Sequence, residues 1–331
     1  MTSSDVWPCA ALPDASLASR TTARVGGSIE WLLEPATPEE FVEGFRAALE
    51  RGYRPRVLGG GANLLIADGK HAGLVIGTGR LSRVFRPNRT EGMDWNDGSG
   101  TGASNAPSEA EELVAWAGAP IPGLVRAAKE LGWSGLEGLV GIPGHVGGAV
   151  AMNAGGRWGD FWDVIQEIRV LTPDGQLEER LRADCQPSYR NGNLGEAFVL
   201  GAVVKLKREP KPAIQERMKQ YLIEKSAAQP VTERSSGCIF KNPDPELSDG
   251  RSAGRLIDDC GGKGLSIGDA VVSPKHANFI VNRGSARAAD FFGLILAVQR
   301  LVFEASGVML EREVRVWNPS EDDQIPQMPP G

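Results

Sequence analysis

The sequence predicts an α+β protein built from successive compact units, and three observations lead to this prediction. The chain has 331 residues, which exceeds the usual size of a single domain. Apolar residues recur at helical spacing in some segments and at strand spacing in others. Breaks in this pattern suggest units at roughly 1–85, 110–207 and 210–318. With 41% apolar and 24% charged residues, the chain can bury a sizeable core.

The first unit contains a helix, two short strands and a glycine turn. Thr37 and Glu40 form a capping box that predicts a helix start. A strand at 56–58 runs directly into the turn at 59–63, whose sequence is Gly-Gly-Gly-Ala-Asn, and an apolar run at 74–76 follows. Residues 84–110 are polar and rich in Gly, Ser, Asn and Glu, which predicts a linker or surface insertion.

The second unit opens with a helix that begins near Pro122 and ends at Gly132. Its predicted buried face consists of Leu124, Val125, Ala128 and Leu131. The glycine-rich segment 135–149 comes next. Strands are predicted from Glu167 to Leu171 and from Leu177 to Leu181, joined by a Thr-Pro-Asp-Gly turn, and then a buried strand from Phe198 to Leu206.

The third unit follows Lys207–Pro212, a charged stretch with two prolines that predicts a domain boundary. We expect a helix through Ile214 and Met218, a short helix around Leu256, and a long helix that Ser285 caps. The predicted elements end with a strand over 311–317. The proline-rich tail that follows has few apolar residues and is predicted to be disordered.

Charge and cysteine usage restrict the possible functions. The net charge is −6 with both signs interspersed, which argues against a nucleic-acid or anionic-membrane surface. The cysteines at 9, 185, 238 and 260 form no CxxC pair, as expected of a reduced cytosolic protein. Because neither a secretory signal nor a run of ~18 apolar residues is visible, we expect a cytoplasmic protein.

Two glycine-rich runs are candidates for ligand binding. Consecutive glycines at 59–61 let backbone N–H groups close around a phosphate, because no side chain blocks the approach. Their spacing does not fit GxGxxG, so a Rossmann site is disfavoured. Together with the segment 135–149, they suggest a long ligand whose central diphosphate lies between two backbones. The alternative is that these are packing glycines at close strand crossings.

Other candidate residues are unremarkable when each is taken alone. Cys238 stands beside apolar residues, and such a cysteine is more often an inert core residue. Surface ion pairing would explain both Arg190 and Glu313. His71, His145 and His276 are far apart and lack metal-ligand spacing, so no metal site is expected.

Taken in order, however, these segments resemble one family, and the match runs from about residue 20 to 317. The matching segments are Thr21–Gly27, the 59–63 turn, 141–156, Tyr189-Arg190, Gln229-Pro230, Ser236–Pro243, Gly268–Ala270, Lys275–Phe279 and Leu310–Val316. They resemble the UDP-N-acetylenolpyruvoylglucosamine reductases, also called UDP-N-acetylmuramate dehydrogenases. The interval of 48 residues between Arg190 and Cys238 resembles the subtype that lacks a tyrosine-bearing loop.

The resemblance implies a fold, a cofactor and a reaction. A two-part FAD-binding region of the vanillyl-alcohol-oxidase-like type would span 1–85 and 86–207, and a substrate-binding α/β domain would span 208–318, before a disordered tail at 319–331. NADPH would reduce non-covalent FAD. The reduced FAD would deliver hydride to the enolpyruvyl double bond and give UDP-N-acetylmuramate for peptidoglycan synthesis.

The resemblance also implies catalytic residues. Arg190 and Glu313 would stabilise the charge that hydride attack pushes into the substrate carboxylate. Cys238 would be the general acid, where the family usually has serine. A thiol, with a pKa of ~8.5, is a stronger acid than a hydroxyl, and its neutral form would be the proton donor.

Binding residues follow from the same resemblance. FAD would be held by Gly59, Gly60, Gly61, Ala62, Asn63, Gly141, Ile142, Gly144, His145, Gly148, Ala149 and Asn153. The substrate would contact Tyr189, Lys225 at its diphosphate, and Asn242 at its sugar or uracil. His145 stands where the family more often has a small hydroxyl residue, and the sequence does not indicate what its imidazole does at this position near the flavin.

Two alternatives stay open at this point. The chain could be a related FAD oxidase of another substrate, which would not need NADPH. Ala62 lies where some such oxidases carry a flavin-linked histidine, so covalent attachment at this position is excluded. The second alternative is a flavin-binding module without catalysis. The presence of Arg190, a proton donor and Glu313 together argues against that alternative.

Overall fold

The structure is a computed structural model that describes residues 6–87, 95 and 111–318. Its strands are β1 (Ala10–Ser16), β2 (Ser28–Glu34), β3 (Arg56–Leu58), β4 (Leu64–Ile66), β5 (Lys70–Gly77), β6 (Val84–Phe85), β7 (Glu112–Trp116), β8 (Trp133–Ser134), β9 (Gly155–Gly156), β10 (Gly159–Asp160), β11 (Ile165–Leu171), β12 (Leu177–Leu181), β13 (Phe198–Lys205), β14 (Lys207–Arg208), β15 (Ser235–Cys238), β16 (Ser266–Ile267), β17 (Ala270–Val272), β18 (Phe279–Asn282) and β19 (Arg315–Trp317).

The helices are α1 (Pro38–Glu50), α2 (Ile121–Leu131), α3 (Val146–Ala151), α4 (Arg182–Cys185), α5 (Lys211–Ala228), α6 (Pro245–Ser248), α7 (Ala253–Asp259) and α8 (Ala288–Ser306). Helices and strands therefore both contribute substantially to the fold, as the α+β prediction requires.

The chain divides into two compact units. The first unit comprises Met1–Ala11, Leu32–Gly60 and Leu74–Glu224, and the second comprises Leu12–Trp31, Gly61–Gly73 and Lys225–Gly331. The strands β1, β2, β5 and β3 form a four-stranded sheet in the order β1-β2-β5-β3. The predicted domain bounds at 85, 207 and 318 stay a prediction.

The first unit contains a five-stranded sheet in the order β12-β11-β13-β7-β6. Strands β11 and β12 form the predicted hairpin, in which Glu167 pairs with Leu181 and Leu171 with Leu177. Strand β13 pairs on one side with β11 and on the other with β7. It is buried over 199–204, as its continuous apolar run predicts.

Two helices of the first unit follow the sequence prediction in most details. The Thr37 hydroxyl accepts a hydrogen bond from the Glu40 backbone N–H at 3.2 Å and caps α1. Helix α2 ends at Gly132, whose φ of 71° is left-handed. Leu131 was predicted to be buried, and this is wrong: it is 46% exposed, because it is the last helical residue, where the chain turns away.

The connection from β13 to α5 belongs to the first unit over most of its length. Strand β14 pairs with β8, and the Arg217 guanidinium on α5 donates to carboxylates of Glu209 and Glu137, each at 2.5 Å. These hydrogen bonds raise the pKa of Arg217, with Glu209 the largest contributor. Helix α5 was predicted correctly, and it is fixed to the first unit by paired charges.

The second unit contains the antiparallel sheet β15-β18-β17-β16 and the parallel pair β19-β4. Helices α7 and α8 pack with these strands in one hydrophobic core that includes Phe240, Leu256, Phe291 and Val316. The predicted apolar stripe of α8 is buried at Phe291, Leu294, Ile295, Val298 and Val302.

Three further details of the prediction are wrong in the described residues. Ser285 does not cap α8: Asp68 accepts hydrogen bonds from Ala288 N–H and Ala289 N–H, both at 3.0 Å. The strand predicted over 311–317 is shorter and covers only β19, with a single bridge between Phe240 and Arg312 before it.

The third detail concerns the predicted linker at 84–110. Its first two residues form β6, which pairs with β7, because Phe85 and Trp116 pack edge to face with ring centroids 6.2 Å apart. Apart from 84–87 and 95, the predicted linker lies outside the described residues, as does the predicted disordered tail at 319–331.

Candidate active site

Two glycine-rich segments of the first unit meet at backbone level. Strand β3 leads directly into Gly59 and Gly60. A Cβ atom at Gly60 would lie only 2.7 Å from the Cα of Gly144, and one at Gly59 would lie 4.0 Å from the Gly148 nitrogen. We call Gly59, Gly60, Gly144, His145 and Gly148 the glycine cradle. The close approach requires glycine at position 60, since any side chain there would collide with the opposite backbone.

The second side of the glycine cradle is fixed by backbone hydrogen bonds. Ile121 N–H donates to the Gly144 carbonyl at 3.0 Å, Val146 N–H to Ala119 at 2.9 Å, and Gly147 N–H to Ala117 at 2.8 Å. Gly141 and Gly144 have φ angles of 74° and 108°, which favour glycine. The run 141–148 is therefore a rigid backbone surface rather than a mobile loop.

Open space lies next to the glycine cradle at Gly148. No atom stands within 4 Å of the position a Cβ would take there, and Gly148 is exposed. The neighbouring Ile142 is half-buried, whereas Ala149 is buried. An exposed backbone without side chains is what a phosphate group needs for close approach.

His145 lies inside the glycine cradle and is half-buried. Its Nδ1 atom is buried and has no hydrogen-bond partner in the part of the chain that the structure describes. Burial lowers the pKa of His145 below its usual value, so the imidazole is neutral at neutral pH.

Arg190 lies in a strained turn of the same unit. Its φ of 55° is left-handed, which is uncommon for a residue with a side chain and is typical of functional positions. The guanidinium donates to the Gly155 carbonyl at 3.1 Å and lies 3.7 Å from the Asp160 carboxylate. It also lies 4.8 Å from the ring centre of Tyr189. These contacts fix the direction of a half-buried cation.

Asn153 supports this turn. Its side-chain amide donates to the Ser188 carbonyl at 3.0 Å, and its side-chain oxygen accepts from Trp162 N–H at 3.3 Å. The predicted FAD ligand Asn153 is thus buried among protein groups that lead to Arg190. Asp160, which the sequence analysis missed, has a raised pKa because burial outweighs the opposing charge of Arg190.

In the second unit, Cys238 ends β15. It pairs with Phe279 of β18 after an irregularity in register that begins at Ser235. Gly237, with a φ of 77°, forms this irregularity, and a Cβ there would lie 3.7 Å from the Ala62 carbonyl oxygen. A bulge of this kind re-aims the side chain that follows it. Cys238 is half-buried.

Asn278 fixes the segment that follows Cys238, and sequence reasoning gave it no role. Its side-chain oxygen accepts from Phe240 N–H at 2.9 Å, and its side-chain amide donates to the Phe240 carbonyl at 2.8 Å. Its own carbonyl accepts from Ile239 N–H at 2.9 Å. We call these three bonds the Asn278 clamp. The only available sequence signal was an asparagine between apolar residues in Lys275–Phe279.

Glu313 lies on the other side of the same segment. Its N–H donates to the Ile239 carbonyl at 2.8 Å, and its own carbonyl accepts from the Asn63 side chain at 3.1 Å. Asn63 also accepts from Arg315 N–H at 3.1 Å through its carbonyl. The second unit therefore brings together Asn63, Cys238 and Glu313, which are far apart in sequence.

The predicted substrate residues Lys225 and Asn242 also belong to the second unit. Lys225 lies in the last turn of α5, and burial lowers the pKa of its ammonium group to about 8. The Asn242 side-chain oxygen accepts from Ala253 N–H at 3.1 Å, at the start of α7. Gly254 follows Ala253 in α7, and the His276 ring lies 3.0 Å from the position that a Cβ at Gly254 would take.

His276 was considered only as a metal ligand, and the structure gives its ring a defined orientation. Asn278 N–H donates to its Nδ1 at 3.2 Å, so the ring proton is on Nε2 when the ring is neutral. Burial is the main cause that lowers the pKa of His276. No group of three or more His, Cys, Asp or Glu side chains suited to a metal ion occurs within 6–87, 95 and 111–318.

Comparison with known proteins finds two family matches along the chain. Residues 29–180 match the FAD binding domain family, and residues 229–317 match the C-terminal domain of UDP-N-acetylenolpyruvoylglucosamine reductase. The fold and these two matches thus define an FAD-dependent oxidoreductase that combines an FAD-binding domain with a C-terminal domain of the reductase type.

Relatives that match over most of this chain and of their own length identify its family. The reductase of this name from Syntrophobacter fumaroxidans is 38% identical over 94% of this chain and 85% of its own length. That of Deinococcus radiodurans is 38% identical over 91% and 94%. The crystal structure of the Thermus caldophilus reductase is 36% identical, covers 92% of this chain and 98% of its own, and gives a TM-score of 0.73. The chain belongs to the UDP-N-acetylenolpyruvoylglucosamine reductase family.

The residues of the first unit fit FAD. The backbones at Gly60 and Gly144 approach each other closely because neither residue has a side chain, and Gly148 faces open space. A diphosphate can therefore approach the backbone N–H groups of both segments. The imidazole of His145 adds a polar side chain to the same cradle, and its buried Nδ1 has no hydrogen-bond partner among the described residues. The predicted ligands Gly61, Ala62 and Asn63 lie in the second unit.

Proposed function

We propose that this protein reduces the enolpyruvyl group of UDP-N-acetylglucosamine enolpyruvate to UDP-N-acetylmuramate, with NADPH as the source of hydride. The family to which the chain belongs supports this proposal. One structural observation carries it: Cys238 and Glu313, a proton donor and a carboxyl group, flank Ile239, whose carbonyl accepts from Glu313 N–H. A flavin-binding module without catalysis would have no use for this pairing.

The reaction needs a hydride and a proton on the two carbons of one double bond. The residues of the glycine cradle would hold FAD, which would supply the hydride-transfer chemistry between NADPH and one alkene carbon. Negative charge then builds up on the substrate carboxylate and the other carbon. Arg190, with its guanidinium held by Gly155 and Asp160, stabilises that charge because it is a fixed cation that needs no reorganisation.

Cys238 and Glu313 complete the step. The neutral Cys238 thiol donates its proton to the second alkene carbon, and the thiolate then recovers a proton from solvent. Glu313, when it carries a proton, donates a hydrogen bond to the substrate carboxylate. We assign cofactor contacts to the predicted residues 59–63, Gly141, Ile142, Gly144, His145, Gly148, Ala149 and Asn153.

Substrate contacts follow from charge and position. Lys225, Tyr189 and Asn242 are assigned to the diphosphate and to the sugar or uracil, as the resemblance implies. We add His276 Nε2–H as a donor beside Asn242, since both contact the start of α7. We also propose the domain bounds 1–85, 86–207 and 208–318, and the subtype without the tyrosine loop.

We propose a cytoplasmic location, where NADPH and the UDP-sugar are found. None of the four cysteines forms a disulfide. Among residues 6–87, 95 and 111–318, no helix combines the length and apolar character needed to cross a membrane.

The test of the function has two halves. The purified protein should show a flavin absorption spectrum, NADPH should bleach it, and the enolpyruvyl UDP-sugar should restore it. A protein that cannot take up FAD would contradict the proposal. Bound flavin that neither NADPH bleaches nor the UDP-sugar affects would favour the alternative, an oxidase of another substrate.

The role of Arg190 is tested separately in the second half-reaction. Arg190→Ala should slow reoxidation by the UDP-sugar by about 100-fold or more, in the range found when a charge-stabilising donor is removed. Bleaching by NADPH should keep its normal rate. An unchanged reoxidation rate would remove Arg190 from the mechanism.

A further inference from the structure

His145 stands at the centre of the glycine cradle, and its geometry says which of its two nitrogens faces outward. Its Cδ2 lies 3.1 Å from the position of a Cβ at Gly60, and its Cε1 lies 4.0 Å from the corresponding position at Gly79. Nε2 is bonded to both of these ring carbons. It therefore lies on the ring edge between the Cβ positions of two glycines.

The other nitrogen faces the protein. Nδ1 is buried and makes no hydrogen bond within the described residues. The pKa of His145 is lowered by burial alone, so the ring is neutral and one nitrogen carries the only proton. Buried N–H groups without an acceptor are rare because they lose a full hydrogen bond. The proton is therefore on Nε2, and the buried Nδ1 carries the unprotonated lone pair.

The neighbours of Nε2 define the chemistry of its partner. An N–H can only donate, so the partner must be an acceptor. The Cβ position of Gly59 lies 3.9 Å from the His145 Cβ and 4.0 Å from the Gly148 nitrogen, and the open space at Gly148 gives a phosphate access to this backbone. A neutral donor beside this backbone adds one more hydrogen bond to phosphate oxygens.

We propose that His145 donates a hydrogen bond through Nε2 to the diphosphate of FAD. This inference rests on the proposed function, because it requires that FAD be the ligand of the glycine cradle. It gives His145, which has no role in the proposed hydride and proton transfers, a part in holding the cofactor.

A pair of substitutions separates the two nitrogens. In His145→Gln the side-chain amide reaches the position of Nε2, whereas in His145→Asn it reaches only that of Nδ1. His145→Met has no strong donor and similar length. We expect the apo-protein with His145→Gln to bind FAD within about threefold of the unchanged protein. The Asn and Met variants should bind it about tenfold more weakly, as expected for one lost hydrogen bond.

The dissociation constant is measured by quenching of flavin fluorescence, and a thermal melt of each apo-variant checks its fold. ADP, which carries the diphosphate without the flavin, is titrated as a competitor and should lose the same factor. Equal FAD affinity in all three variants would overturn the inference. So would tight binding by Asn with weak binding by Gln, or a loss for FAD without a loss for ADP.

These outcomes are distinct from failure of the proposed function. If the unchanged protein takes up no FAD, the function itself is wrong. If it takes up FAD and all His145 variants do the same, only the role of His145 is wrong.

Discussion

The glycine cradle of the first unit and the Cys238–Glu313 region of the second unit are built by opposite means. The cradle depends on side chains that are missing: a single Cβ at Gly60 would lie 2.7 Å from Gly144. The Cys238–Glu313 region depends on side chains that are present, since the Asn278 clamp satisfies both backbone groups of Phe240. The first arrangement keeps side chains away from a backbone surface, whereas the second arrangement fixes the backbone between Cys238 and Glu313.

This difference predicts which measurement each substitution affects. Changes in the glycine cradle should alter uptake of FAD. Changes around Cys238 should leave FAD bound and alter only the step in which the UDP-sugar is reduced. The four predictions below test this separation, beginning with the largest effect.

Replacement of the proton donor should have the largest effect. In Cys238→Ala, reoxidation of the flavin by the UDP-sugar should slow by about 100- to 10,000-fold, because a positioned general acid contributes about that much. Bleaching of the flavin by NADPH should be unaffected, and stopped-flow absorbance separates the two steps. Cys238→Ser is the matched control and should retain measurable turnover. Normal turnover of Cys238→Ala would show that the thiol is not the acid.

Crowding the glycine cradle should abolish most FAD binding. Gly60→Ala introduces a Cβ that must push the Gly144 backbone away, and such overpacking typically costs 1–3 kcal/mol of stability. We expect FAD affinity to fall by about 100-fold. Gly156→Ala is the matched control, because nothing lies within 4 Å of its Cβ position. The comparison between regions fails if Gly60→Ala binds FAD like the control.

Loosening the Asn278 clamp should affect chemistry more than cofactor uptake. Asn278→Ala leaves the N–H and carbonyl of Phe240 without partners in a buried place, at a cost of about 1–3 kcal/mol for each unpaired group. We expect a lower melting temperature and about tenfold slower reoxidation by the UDP-sugar, with FAD affinity unchanged. Loss of FAD in parallel with the slower reoxidation would show that the two regions are not separable.

The smallest effect concerns pH. Because burial lowers the pKa of Lys225 to about 8, this residue is charged at pH 7 and mostly neutral at pH 9. The affinity of the free enzyme for the anionic UDP-sugar should therefore fall several-fold as pH rises through 8. Lys225→Arg keeps its charge throughout this range and should remove the fall. An equal fall in both proteins would exclude Lys225 as its cause.

Local signals in the sequence correctly predicted the helices α1, α2, α5, α7 and α8 and the strands β3, β5, β11, β12 and β13. Thr37 caps α1 through the Glu40 N–H three residues away, so a short stretch of sequence was enough. The cap of α8 could not be found in this way. Ser285 is the nearest plausible residue, but Asp68, about 220 residues earlier, accepts the hydrogen bonds instead. A long-range partner of this kind leaves no trace in the local pattern.

The candidate site shows the same limit. Its reactive residues came from a family resemblance, since Cys238 and Glu313 look ordinary alone. The residues that position them, Asn278 and Asn63, act through contacts to Phe240 and to the Glu313 carbonyl. Each is one polar residue among apolar neighbours, and the sequence does not indicate which distant backbone it will meet.

The pairing of β19 with β4 has a consequence for the order in which the protein is made. Arg315 pairs with Leu64, and Asn63 holds the Glu313 carbonyl. During translation, β4 must wait for about 250 further residues before its partner strand leaves the ribosome. The first unit, whose last residue is Glu224, has been synthesised completely long before then. A nascent chain therefore contains every residue of the glycine cradle while Glu313 is still unmade, so the two regions become available for folding at different times.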